Sequence, residues 1–86
     1  MKGLTGDSRF MKPELIAKLP LVEIVGEKRV LIENHLGVVG YSSEEVQIKV
    51  SYGIISIIGC QLRFAQITQE QLVINGQIDN IMLLRR

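Results

Sequence analysis

From Leu21 onward, the hydrophobic residues of this chain recur mostly at every second position, which is the period of a β-strand. Val46, Ile48 and Val50 alternate with charged or amide side chains, as expected for a strand with one buried and one solvated face. The connections between such segments are too short for crossover helices, which favours antiparallel pairing. The pattern predicts an all-β domain, a small antiparallel β-sandwich or roll of about seven short strands between residues 21 and 84. The predicted core is Val22, Ile24, Val30, Ile32, Val46, Ile48, Ile55, Ile57, Leu62, Phe64, Leu72, Ile74 and Ile78.

Glycine and asparagine punctuate these segments. Residues 34–37 (Asn-His-Leu-Gly) are typical of a four-residue hairpin loop, residues 51–53 of a tight hairpin, and Asn-Gly at 75–76 is the most specific turn dipeptide of the chain. We therefore expect Gly37, Gly53 and Gly76 to lie in turns, with positive φ at two or more of them.

A short pattern, two alternating apolar residues followed by glycine, occurs three times, ending at Gly26, Gly59 and Gly76. The spacing between copies is not constant, so it does not fit a solenoid repeat. We interpret each glycine as a turn or bulge where a short strand ends.

The N-terminal segment differs from the rest of the chain. Residues 1–12 lack periodicity and predict a mobile tail, and residues 13–19 predict one or two helical turns that Pro20 ends. We therefore divide the chain into a tail over residues 1–12 and a single β domain over residues 13–86.

Composition agrees with this interpretation and excludes several functions. The 86 residues allow one hydrophobic core, and they include 12 Ile and 8 Val against 2 Ala, a bias typical of strands. A net charge of +1 argues against a dedicated nucleic-acid binder. The chain has no apolar run long enough to span a bilayer and no signal-peptide pattern, so we expect a cytoplasmic protein.

Residues that carry chemistry are few. His35 and Cys60 are the only histidine and cysteine, which is too few for a typical zinc site and excludes an internal disulfide. Ser42 and Ser43 lack the sequence context of a catalytic nucleophile. Cys60 follows an apolar run, so we interpret it as a buried structural thiol. We predict no catalytic, cofactor or metal site, and no enzymatic activity.

Two segments carry more apolar surface than one sheet layer can cover. Residues 54–58 are apolar on both faces, and residues 81–84 are similar. We expect an exposed apolar patch or an open edge near the C-terminal strand, ready to bind a partner protein or a second copy of the chain. The candidate contact residues are Ile54, Ile58, Ile81, Met82 and Leu84.

Five segments together resemble the YabP/YqfC family of sporulation proteins, with the YqfC branch the closer match. They are LPLVEIVG (residues 19–26), VLIENHLGV (30–38), YSSEEVQI (41–48), GIISIIG (53–59) and LVINGQIDNI (72–81). The most specific piece is Ile-Glu-Asn-His at residues 32–35 with Gly37 two residues on. The resemblance covers about residues 13–84.

This resemblance implies a small all-β protein of endospore-forming bacteria, made in the mother cell and encoded beside a membrane protein, YqfD in the YqfC branch. Together with the surplus apolar surface of residues 54–58 and 81–84, it leads us to expect a non-catalytic role in spore morphogenesis through protein–protein contacts, in the mother-cell cytoplasm or peripherally at the membrane around the forespore. The family provides no catalytic residues. The alternative is a small β-sandwich module that binds a ligand such as a polysaccharide, which predicts exposed aromatic side chains on a sheet.

Overall fold

The computed structural model describes residues 19–85, and these residues form one antiparallel sheet. Its six strands are β1 (Leu21–Val25), β2 (Arg29–Glu33), β3 (Gly37–Tyr41), β4 (Glu45–Val50), β5 (Gly53–Ile67) and β6 (Gln71–Arg85). In space their order is β1-β2-β6-β5-β4-β3. The predicted all-β antiparallel class is confirmed. The predicted tail and, apart from Leu19, the predicted helix lie outside the described residues.

The strands are fewer and longer than predicted, because β5 and β6 each run for 15 residues. Strand ends were expected at Gly59 and Gly76, and this expectation is wrong for both. The β5–β6 ladder continues through register shifts at residues 58/59, 60/63 and 64/66. A bulge lets a strand bend while its pairing continues on either side. Gly76 therefore lies inside β6 and not in the hairpin turn that Asn-Gly suggested.

These bends divide the sheet into two halves that share one core. The β2 half consists of β1, β2 and the paired residues 71–75 of β6 and 63–67 of β5. The β4 half consists of β3, β4 and the paired residues 53–58 of β5 and 80–85 of β6. Buried side chains from both halves form a single cluster. The sheet therefore folds over itself like a sandwich without being interrupted.

The two halves have equivalent topology, since the order from one edge, β1-β2-β6, matches the order from the other, β3-β4-β5. Each bend is tied to the neighbouring hairpin turn in the same way. The amide of Gly76 donates to the Lys28 carbonyl at 3.1 Å, and the amide of Gly59 donates to the Glu44 carbonyl at 3.0 Å. Two of the three sequence copies noted above, at residues 55–59 and 72–76, therefore occupy equivalent positions in the fold.

Glycine is required at both bends by close backbone approach. A Cβ on Gly76 would lie 2.6 Å from the Gln61 carbonyl oxygen, and φ there is +142°. A Cβ on Gly59 would collide with the Gln77 carbonyl oxygen. The other two expected turn glycines, Gly37 and Gly53, have φ of 130° and 154° and begin β3 and β5 directly after the preceding connections.

The core agrees with most of the sequence prediction. The fully or nearly fully buried members of the cluster are Val30, Ile32, Val46, Ile48, Val50, Ile55, Ile57, Leu62, Leu72, Ile74 and Ile78. Val22 and Phe64 are only partly buried at its margin. Ile24 was predicted to be buried and is 57% exposed, because β1 is an edge strand of the sheet that residues 19–85 form. Val50 alternates with Val46 and Ile48 but is not in the predicted core, and it is completely buried as they are.

The predicted hairpin at residues 34–37 is also wrong, because β2 pairs with β6 while β3 pairs with β4. These residues instead form a crossing between the halves, past the tip of the β5–β6 hairpin. The backbone amide of Asn34 donates to the Glu70 carbonyl at 2.9 Å, and the backbone amide of Leu36 donates to the Lys49 carbonyl at 2.7 Å. Asn34 has φ of 63°, a conformation that asparagine tolerates better than most residues.

Candidate interaction surface

Four of the five predicted contact residues share the outer face of the β4 half. Ile54 is paired with Leu84, and Met82 lies opposite Ser56, between Ile54 and Ile58 on the neighbouring strand. The alternate residues Ile55 and Ile57 face the core and are completely buried. We call Ile54, Ile58, Met82 and Leu84 the apolar face. Met82 is 37% and Leu84 42% exposed, and the two isoleucines are half-buried.

Ile81 does not belong to this surface. It pairs with Ile57 on the inner side of the sheet and packs against the core cluster. The run of apolar residues at 81–84 hid the alternation, since Met82 and Leu84 face outward while Ile81 faces inward. Ile81 therefore lies on the opposite face of the sheet from the other four predicted contact residues, and its contact role stays a prediction.

The open edges of the sheet are not where the sequence analysis expected them. The C-terminal strand β6 lies in the middle, paired with both β2 and β5. The edges are β1 and β3. Strand β3 has no charged residue, and Val38, Val39 and Tyr41 on it are between 38% and 55% exposed. Such an edge is a template for pairing with another strand.

Polar groups surround the apolar face and are satisfied locally. The hydroxyl of Ser56, completely buried among the outer residues, donates to Glu45 Oε2 at 2.7 Å. The side-chain amide of Gln47 donates to the same carboxylate oxygen at 3.2 Å. Ser56 therefore lies below the apolar face without an unpaired polar atom.

The residues considered above as candidates for catalysis or metal binding are His35, Ser42 and Cys60, and the first two make local hydrogen bonds. The Nε2–H of His35 donates to the Thr68 carbonyl at 2.9 Å, which fixes the ring between the halves and leaves Nδ1 buried without a partner. The hydroxyl oxygen of Ser42 accepts bonds from the amides of Glu44 and Glu45 at 3.2 and 3.0 Å, so it stabilises its own turn. Cys60 is exposed, which makes the expectation of a buried thiol wrong. It lies in the bulged part of β5, directly after the apolar run that suggested its burial, and the register shifts there turn the side chain to solvent.

Within residues 19–85 no cluster of His, Cys, Asp and Glu side chains is arranged to hold a metal ion. The same part of the chain contains no helix long and apolar enough to cross a bilayer.

The structure adds a site that the sequence analysis missed, a groove of about 590 Å³ beside the bend of β6. Three cationic side chains line it: Lys28, Arg29 and Arg63. The adjacent pair at 28–29 is visible in the sequence, but Arg63 joins it only through strand pairing. No local pattern could have connected them.

Fold and surface together define a small all-β protein built on a bent single sheet, with a partly exposed apolar face on one half. A comparison with family models is consistent with this class, because residues 18–86 match the YabP family. The chain belongs to the YabP family.

A relative in Bacillus subtilis (strain 168), described as uncharacterized protein YqfC, is 31% identical over 79 residues. The match covers 92% of this chain and 85% of the relative. No solved structure matches the chain significantly.

Proposed function

We propose that this chain is a non-catalytic sporulation protein that acts through protein–protein contacts in spore morphogenesis. Membership of the YabP family and the similarity to YqfC support the biological setting. By the same resemblance, the protein acts in the mother cell, in the cytoplasm or peripherally at the membrane that surrounds the forespore. Its partner is a membrane protein of the YqfD kind.

The observation that carries the contact role is the apolar face. In the β2 half, the strand register places Gln71, Asn75 and Gln66 at the positions equivalent to Ile54, Ile58 and Met82. The same backbone arrangement thus accepts amide side chains at these positions. Because folding does not require apolar residues there, their presence on the outer face of the β4 half favours contact with another protein.

A charge introduced into the apolar face tests this proposal. Met82→Glu and Leu84→Glu should each abolish co-purification, from sporulating cells, with the YqfD-like membrane protein encoded beside this chain. The reason is that an unpaired carboxylate buried in an interface is strongly unfavourable. The matched control is Gln66→Glu, which adds the same charge at the equivalent position of the β2 half. It should leave co-purification unchanged.

Light scattering of the purified variants completes the test. If the wild-type protein self-associates through this face, the Met82 and Leu84 variants become monomeric and the Gln66 variant does not. A strictly monomeric wild type whose charged variants still bind the membrane protein normally would place the contact surface elsewhere.

The non-catalytic part of the proposal has its own test. Replacing His35 by alanine and Cys60 by serine should leave spore formation unaffected wherever the folded protein accumulates. Loss of sporulation with an intact circular dichroism spectrum would show that one of these side chains has a chemical role.

The ligand-binding alternative has less support. Carbohydrate-binding sheets present flat, accessible aromatic rings, and Tyr41 is the most exposed candidate at 55%. Its ring packs against Phe64, with centroids 5.1 Å apart, and its hydroxyl donates to the Leu62 carbonyl at 3.3 Å. Tyr41 therefore contributes to joining β3 to the bend of β5.

A further inference from the structure

The groove beside the β6 bend concentrates positive charge. Lys28 comes from the β1–β2 turn, Arg29 from the start of β2 and Arg63 from β5. Arg29 and Arg63 are both paired directly with Asn75, so the two guanidinium groups flank this residue on one face of the sheet. Directly paired side chains lie about 5 Å apart, so the Cβ atoms of Arg29 and Arg63, on either side of Asn75, lie about 10 Å apart, a gap that two long side chains can close on one small ligand. Lys28 lines the same groove.

Among residues 19–85, no carboxylate lines the groove. Its remaining polar side chains are the amides of Gln61, Asn75 and Gln77. Amide NH₂ groups are neutral hydrogen-bond donors, and that of Gln77 is directed to Glu27. The nearest acidic residue in sequence, Glu27, accepts a bond from Gln77 at 3.3 Å and lines a separate cavity together with Asp79. The charge of the groove is therefore not neutralised by its own walls.

One hydrogen bond positions the donors. The Nε–H of Arg29 donates to Asn75 Oδ1 at 3.0 Å. This bond holds the Arg29 guanidinium at the groove and leaves its terminal NH₂ groups available. It also orients the Asn75 amide so that its NH₂ group remains a donor.

The fold does not require these cations. At the equivalent positions of the β4 half, Glu44 and Glu45 replace Lys28 and Arg29, and Asn80 replaces Arg63. The same tie between hairpin turn and strand bend thus forms with acidic side chains. The positive charge of the β2 half needs an explanation other than folding.

Backbone strain lies at the same place. Gln61, which lines the groove, has φ of 55° although it is not a glycine. A residue held in the left-handed region costs about 1–2 kcal/mol and is found preferentially at binding sites. The bulge of β5 thereby places Gln61 at the groove wall.

We propose that this groove binds a phosphate group, carried by a soluble phosphate-bearing molecule or by a lipid headgroup. Guanidinium groups bind phosphate oxygens through paired hydrogen bonds, and a lysine adds a point charge. The amides of Asn75 and Gln61 complete the set of donors. This site is distinct from the apolar face and goes beyond the proposed function.

Nuclear magnetic resonance of the whole chain tests the soluble form of the ligand. Titration with inorganic phosphate should shift the amide signals of Gln61 and Gly76 and the Nε signal of Arg29. Arg63→Gln should weaken binding about tenfold or more, because it removes a charge-assisted contact. Lys49→Gln, with the same change in net charge on the other half, should leave the affinity unchanged.

Vesicles distinguish the two sources of phosphate. Co-sedimentation with phosphatidylcholine vesicles that contain phosphatidic acid, and not with phosphatidylcholine alone, would identify a lipid headgroup if Arg63→Gln abolishes it and Lys49→Gln does not. Binding of free phosphate without vesicle binding would identify a soluble ligand. If neither probe binds, or if Lys49→Gln weakens binding as much as Arg63→Gln, the proposal is wrong.

Discussion

The two halves of the sheet share one backbone arrangement and differ in what they present to solvent. Inward-facing positions match in kind: Val30 and Ile32 of β2 correspond to Val46 and Ile48 of β4, and all four are completely buried. Outward-facing positions do not match. The β2 half has the groove lined by Lys28, Arg29 and Arg63 at its bend. The β4 half has the apolar face, and it has acidic residues at the equivalent turn.

This difference separates the residues that specify the fold from those that are free for function. The backbone arrangement requires the alternating apolar core positions and a glycine at each bend. It also requires a carbonyl group in each hairpin turn that accepts a hydrogen bond from the backbone amide of that glycine. It tolerates a reversal of charge at the turn, from Lys28-Arg29 to Glu44-Glu45. We therefore look for function on the outer faces, where the halves differ.

The largest effect is expected at the two bends. Gly59→Ala should destabilise the protein by more than about 4 kcal/mol, because the new Cβ would collide with the backbone of β6. Gly76→Ala should cost about 2–4 kcal/mol, through its positive φ and its approach to the Gln61 carbonyl. Urea unfolding measures both. Full stability of either variant would show that the strands do not approach as closely as described.

Core truncation in the two halves should have similar effects. Ile32→Ala and Ile48→Ala each remove a completely buried side chain at equivalent positions, and each should cost about 2–5 kcal/mol. Denaturant unfolding of both variants provides the comparison. A difference greater than about 2 kcal/mol would contradict the equivalence of the halves, given the usual spread for such truncations.

The smallest effects are expected at the two hairpin turns, β1–β2 and β3–β4, which are stabilised by different residues. At the equivalent position, one turn has Gly26 with φ of 55°, and the other has Ser42, whose hydroxyl binds two amides. Gly26→Ala should cost about 1 kcal/mol through conformational strain alone, since its Cβ would meet open space. Ser42→Ala should cost about 1 kcal/mol through lost hydrogen bonds.

A second substitution at residue 26 is the control for the strain at Gly26. Gly26→Asn, which tolerates the left-handed conformation, should recover most of the stability that alanine loses. Thermal unfolding midpoints rank the three variants. If asparagine and alanine are equally destabilising at residue 26, strain is not the cause.

The sequence predicts the strand class and most of the core because alternation reports directly on burial. It misplaces Ile24 because it does not show which strand becomes an edge, and it misplaces Ile81 because a continuous apolar run hides the alternation. In the sequence, the bends at Gly59 and Gly76 look like strand ends. The strands continue through them because β5 and β6 pair with each other on both sides of the bends, and these pairs join residues that are far apart in the chain. The cationic groove is hidden for the same reason.

The apolar face was largely predictable, because residues 54–58 carry apolar side chains on both faces of a strand. Its four members were identified from sequence, and the strand register was needed only to exclude Ile81. By contrast, an open edge at the C-terminal strand, the other form that this prediction allowed, is not present, because β6 lies in the middle of the sheet. Edge position depends on the order of strands in space, which no local sequence feature encodes here.

The central claim is that outer residues of the β2 half serve binding and not folding. The most direct measurement is the thermal unfolding midpoint of the double variant Lys28→Glu, Arg29→Glu, which gives this half the acidic turn of the other. We expect a midpoint within about 4 °C of the wild type, as for surface changes of about 0.5 kcal/mol in a small domain. A midpoint lowered by more than about 8 °C would show that these cations are needed for the fold itself, and would contradict the claim.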